Sequence, residues 1–129
     1  MKTHTFPRSG ARALQFEGEI LTEVDTSSYE SNRWFEARLA VTKGGAYVAS
    51  VTYRSRWEKE HDIDFAFHGT ADDVAEWLKS FDPMQGVLGI PTGVQNWREK
   101  QNRLEYEMTR HWSRAVSALT AELGPEIIA

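Results

Sequence analysis

The chain has 129 residues, 40% hydrophobic and 26% charged, with 15 basic against 19 acidic side chains and a net charge of −4. This fits one globular domain large enough to bury its own core and argues against a disordered chain. With no cysteine there is no disulfide, thiolate metal site or cysteine nucleophile, and the negative balance argues against a general polyanion binder.

Residues 1–12, MKTHTFPRSGAR, are basic but lack an apolar run, so no secretory signal is expected, and whether they are ordered or form a flexible tail is left open. No stretch approaches the roughly 20 apolar residues that span a bilayer, and the expectation is a cytoplasmic protein with no membrane partner. Residues 13–69 read as sheet. In ALQFEGEILTEV the alternation places Leu14, Phe16, Ile20 and Val24 inward, with Gly18 marking a bulge or a close approach. The polar DTSSYESN then forms a turn-rich connection.

The stretch RWFEARLAVTKGGAYVASVTYRSRW opens and closes on Arg-Trp and has Gly-Gly near its middle. Side chains alternate faces along a strand, so the hairpin register must bring apolar faces together. A two-residue Gly44-Gly45 turn would set Leu39 against Ser50. A three-residue loop, Lys43-Gly44-Gly45, instead pairs Leu39 with Ala49, Ala37 with Val51 and Phe35 with Tyr53, and Gly45 supplies the left-handed residue. A short turn at Trp57-Glu58-Lys59 extends the pattern to HDIDFAFHG, pairing Tyr53 with Ile63, Val51 with Phe65 and Arg54 with Asp62. The predicted sheet is a four-stranded antiparallel meander.

The helical half covers residues 70–124. TADDVAEWLKSF starts on a Thr70 cap, with Asp72 and Asp73 at the positive helix end and Val74, Trp77, Leu78 and Phe81 as its apolar stripe. Gly86, Gly89 and Pro91 break the next segment into a loop whose Met84, Val87, Leu88 and Ile90 either fold over the core or meet a partner. A Thr92/Gln95 capping box predicts a long helix reaching Leu123, with Val94, Trp97, Leu104, Met108, Trp112, Ala115, Leu119 and Leu123 on one stripe. Two helices on one sheet face make a two-layer α+β domain. The length of the second helix leaves homodimer formation through it open.

The other sheet face is predicted open, carrying Trp34, Glu36, Arg38, Arg54, Asp62, Asp64 and His68, with Trp57 in the adjoining turn. Trp34 and Arg54 become cross-strand neighbours suited to a cation–π contact. The set reads either as a stabilising ladder or as a binding surface anchored by Trp and Arg. Asp62, Asp64 and His68 share a face and could gather a cation, but no ligand spacing supports a metal, cofactor or catalytic site. A phosphate loop and a nucleophile elbow are also absent.

The pattern R-W-x-E-x-x-L-x-x-T-x-G-G-x-Y-V is carried by Arg33, Trp34, Glu36, Leu39, Thr42, Gly44, Gly45, Tyr47 and Val48, about one eighth of the chain. It resembles a hairpin in small, mostly uncharacterised bacterial proteins of plasmids, integrative elements, phages and related mobile DNA. The resemblance implies an accessory role in mobile-element biology, such as inhibition of a host defence complex, and carries over no catalytic residue. The leading expectation is a non-enzymatic protein-binding module. A nucleic-acid or nucleotide binder using the open face is the alternative, disfavoured by charge, and a metal-assisted enzyme is the third reading.

Overall fold

A computed structural model describes residues 1–128 as an antiparallel sheet of five strands in the order β1-β2-β3-β4-β5, followed by two helices. The strands are β1 (Lys2–Phe6), β2 (Leu14–Asp25), β3 (Arg33–Thr42), β4 (Tyr47–Ser55) and β5 (Ile63–Gly69). The helices are α1 (Ala71–Ser80) and α2 (Trp97–Thr120), and a single 3-10 turn at Ala121–Leu123 ends α2. The main core lies between the helices and the inner sheet face. It holds Phe35, Ala37, Leu39, Ala49, Val51 and Tyr53 from the sheet, with Val74, Leu78, Leu104, Met108, Trp112 and Leu119 from the helices.

The β3–β4–β5 registers follow from the need to match both faces. Leu39 pairs with Ala49, Ala37 with Val51, Phe35 with Tyr53, Val51 with Phe65 and Tyr53 with Ile63. Gly45 takes φ +91°, which the three-residue turn requires. Thr70 caps α1 in a reciprocal box with Asp73, and α1 lies over β4 and β5. The apolar stripe of α2 is buried on β2 and β3 of the same chain.

Four expectations are corrected. The sheet has five strands because residues 2–6 pair with β2 from Lys2–Gly18 to Phe6–Leu14, so this segment is a strand and not a flexible tail. Its one strong apolar residue, Phe6, is completely buried. The outer face is also not open. Leu14 to Glu17 run past the last pairing with β3, at Gly18–Thr42, and the β1–β2 hairpin folds over that face. A second small core forms there, with Phe6, Ala40, Val48 and Ala66 buried beneath Leu14, Phe16 and Ile20. Two hydrogen bonds tie down the hairpin: the Ser9 N–H donates to the Asp64 carbonyl (2.8 Å) and the Asp64 N–H donates to Ser9 Oγ (2.9 Å).

The third correction concerns β2. Its pairing shifts between Ile20 and Thr22, and the extra residue at Leu21 swaps the faces of the strand. Leu14, Phe16 and Ile20 therefore point to the outer core, while Leu21 and Val24 reach the main one. Gly18 marks a close approach rather than the bulge itself: a Cβ there would lie 2.1 Å from the Val41 carbonyl oxygen. The fourth correction concerns α2, which begins at Trp97 and not at Thr92. Residues 91–96 form successive turns closed by Val94 N–H to Pro91 O and Trp97 N–H to Val94 O, and Asn96 sits at φ 59° in the left-handed region. The Thr92/Gln95 pattern is present, but the chain is not helical where the box would act.

Candidate functional site

The outer-face residues have been drawn largely into internal contacts. Arg54 bonds Glu36 through Nε and Asp62 through Nη1 (2.9 Å), and these two hydrogen bonds raise the Arg54 pKa. Arg38 lies over the Phe6 ring with its guanidinium carbon 4.3 Å from the centroid. Asp64 accepts a hydrogen bond from Thr52 (2.7 Å), and His68 is exposed near the end of β5. Asp62, Asp64 and His68 are therefore not brought together. Among the described residues no three His, Asp or Glu side chains are grouped as a metal centre would need.

Trp34 and Arg54 are cross-strand partners, yet the cation over Trp34 is Arg56 (5.2 Å). Arg33 in turn lies over Trp57 (5.3 Å). The two Arg-Trp dipeptides of the β3–β4 hairpin thus interlock crosswise at the open end of the sheet, each arginine covering the other dipeptide's indole.

Beneath this pair is a buried ion cluster that pattern reading missed. The Glu60 side chain is 0% exposed and Arg33 14% exposed. Arg33 grips the carboxylate through Nε (3.0 and 3.1 Å) and Nη2 (2.8 Å). Tyr53 Oη, Ser55 Oγ (2.8 Å) and the Leu88 N–H (2.9 Å) also donate to it. Burial alone would push the Glu60 carboxyl up, but the bonds from Arg33, Tyr53, Leu88 and Ser55 outweigh it and lower the carboxyl to about 2. Burial and then the bond to Glu60 push the Tyr53 hydroxyl far above its ordinary range. Burial opposes the Arg33 charge, but Glu60 more than compensates, so its pKa rises. The only sequence signal was the repeated Arg-Trp; Glu60 itself lies in the uniformly charged run EKEHD.

The cluster fixes the apolar loop. Leu88 is tied to Glu60, the Ile90 N–H donates to Gln101 Oε1 (2.7 Å), and Gly86 sits so close to Tyr53 that a Cβ would lie 2.6 Å from its ring. Met84, Val87 and Ile90 pack against the main core, so for them the covering role holds. Leu88 does not follow. It is 51% exposed beside Trp57, which is 52% exposed. Both line a groove of about 620 Å³ with Arg33, Arg56, Lys59 and Ile90.

Arg56 and Lys59 form no ion pair among the described residues, whereas Arg33 is neutralised by Glu60. Glu58 is the other carboxylate in the groove wall. The site therefore offers two apolar anchors, Trp57 and Leu88, and two cations without an ion-pair partner, of which Arg56 also covers Trp34. Comparison with protein-family models, with curated proteins and with solved structures finds no match. No helix among the described residues is long and apolar enough to cross a membrane.

Proposed function

We propose that this protein is a non-enzymatic protein-binding module whose contact surface is the groove of Trp57, Leu88, Arg56 and Lys59, extended by Trp34. One observation carries the reading: two large apolar side chains stand half-exposed in one groove, Leu88 tied through its N–H to the buried Glu60 carboxylate and Trp57 lying under Arg33, which pairs with that carboxylate. Rigid aromatic and arginine anchors beside apolar side chains are the composition of binding hot spots. The unpaired Arg56 and Lys59 favour an acidic protein segment carrying an apolar residue for the Trp57–Leu88 pair. The surface differs from the one first expected, because Arg38, Arg54 and Asp62 are spent on internal contacts.

The hairpin resemblance supports assigning this module to mobile DNA, as an inhibitor of a bacterial defence complex acting in the cytoplasm. Nucleic acid is the less favoured partner. Two free cations do not make a continuous phosphate track, and Glu36, Glu58 and Asp62 stand nearby. Self-association through α2 is less favoured as well, since its apolar stripe is already buried on its own sheet.

A photo-crosslinking residue placed at position 88, with a second variant at position 68, tests the reading in bacterial lysate treated with nuclease. A protein adduct formed from position 88 alone, and lost in Trp57→Ala, is the expected result. Equal adducts from both positions, or adducts that disappear with nuclease, would overturn it.

A further inference from the structure

A second cleft lies away from this groove, between the connection that follows β2 and the middle of α2. It is an open cleft of about 280 Å³ lined by Thr26, Ser28, Glu107, Arg110, His111 and Arg114. Thr26 is fully buried. Its hydroxyl accepts the Phe35 N–H (3.0 Å), donates to the Phe35 carbonyl (3.3 Å) and lies 3.0 Å from His111 Nδ1, so the Nδ1–H is the donor of that last bond. A buried, backbone-anchored hydroxyl thus fixes one imidazole nitrogen and the plane of the ring, leaving Nε2 without a partner among the described residues. Arg110 and Arg114 follow one turn apart on the same helix, and neither makes an ion pair among the described residues, although the Arg110 guanidinium carbon also lies 5.8 Å from the centroid of the Tyr106 ring. Glu107 is the carboxylate in the cleft wall, and Glu30 lines the space that adjoins it across Ser28, Arg110 and His111.

We propose that this cleft binds a tetrahedral oxoanion, phosphate or the phosphate of a small monoester, between the two arginines and His111 Nε2. Guanidinium groups match the oxygen spacing of phosphate, and with Nδ1–H given to Thr26 the neutral His111 ring offers Nε2 as an acceptor for a P–OH group, whereas the imidazolium offers Nε2–H as a donor to a phosphate oxygen. Thr26 acts as a positioning residue that holds the ring. The volume accommodates a phosphate and a few further atoms. Glu107 weakens the site by like-charge repulsion, which supplies a variant of opposite sign.

The test is an NMR titration of the His111 ring and Ser28 amide signals with inorganic phosphate, then O-phosphoserine, at ionic strength held constant with chloride. Saturable shifts with phosphate are expected. Arg114→Gln should weaken binding about tenfold, the loss typical of one charge-assisted contact, and Glu107→Gln should tighten it roughly threefold. Arg103→Gln, on the same helix but outside the cleft, should change nothing. Tighter binding of O-phosphoserine would identify a monoester as the ligand; equal binding would identify the free anion. Shifts that do not saturate, shifts reproduced by added chloride alone, or equal losses in Arg103→Gln and Arg114→Gln would overturn the proposal.

Discussion

The backbone N–H of Leu88, in the exposed apolar loop, donates to Glu60, whose carboxylate is wholly out of water. The candidate binding surface and the buried charge are one mechanical unit. Removing the Glu60 side chain leaves Arg33 nearly buried and unpaired, and leaves Tyr53 Oη and Leu88 N–H without an acceptor. Breaking one side of a buried pair typically costs about 3–5 kcal/mol. Glu60→Ala should lose stability of that order in urea unfolding, and Glu60→Gln, which keeps an acceptor, should lose less.

Acid should reveal the same carboxylate. Its ordinary value is 4.5 and its folded value about 2, so the folded state favours the ionised form. Its contribution is complete above pH 4.5 and is lost as pH falls towards about 2. The gap between the two values corresponds to about 3 kcal/mol. Urea midpoints measured across this interval should fall steeply in the native protein and much less in Glu60→Gln. At the alkaline end Tyr53 behaves in the opposite sense: its raised folded value means stability declines above about pH 10, where the unfolded tyrosine ionises. Tyr53→Phe should remove that decline.

The β1–β2 hairpin predicts a separate result. Phe6→Ala empties the centre of the outer core, at a cost of about 3–5 kcal/mol for a buried aromatic. Dye binding to exposed apolar surface should increase as Ala40, Val48 and Ala66 lose their cover, and urea unfolding should register the destabilisation.

Glycine positions separate backbone crowding from backbone freedom. Gly18→Ala drives a methyl into the Val41 carbonyl and should destabilise by about 1–3 kcal/mol. Gly93→Ala meets nothing within 4 Å and has no positive φ, so it should be neutral or slightly stabilising. Thermal unfolding of both variants distinguishes them.

Trp57→Ala and Leu88→Ala remove half-exposed groups, and each should shift stability by no more than about 0.5 kcal/mol. Loss of partner capture without loss of fold, followed by circular dichroism, is the expected outcome.

Strands β3, β4 and β5 could be read from sequence because only one register satisfies both faces, and the Gly45 turn agreed with it. α1 was equally plain from its Thr70 cap and stripe. β1 was not, because KTHTF offers only Phe6 as a strong apolar residue and its burial depends on a hairpin that folds back over the sheet. In β2 the doublet Ile20-Leu21 was the sign of a face change, and alternation taken across the whole strand passed over it. The site was harder still. Trp57 and Leu88 were named separately, but their adjacency joins residues 31 positions apart and the Glu60 network residues up to 28 apart, which neither periodicity nor local composition encodes.

The strap formed by Ser9 and Asp64 has a consequence for the order of assembly. It joins residues 55 positions apart, and the residues that cover the outer face are synthesised before the strands they cover. During translation Phe6, Leu14 and Phe16 must wait, exposed, until β5 has emerged. The nascent chain therefore carries an uncovered apolar segment until Ile63–Gly69 has followed it, and this is the interval in which a chaperone or a second nascent chain would meet it.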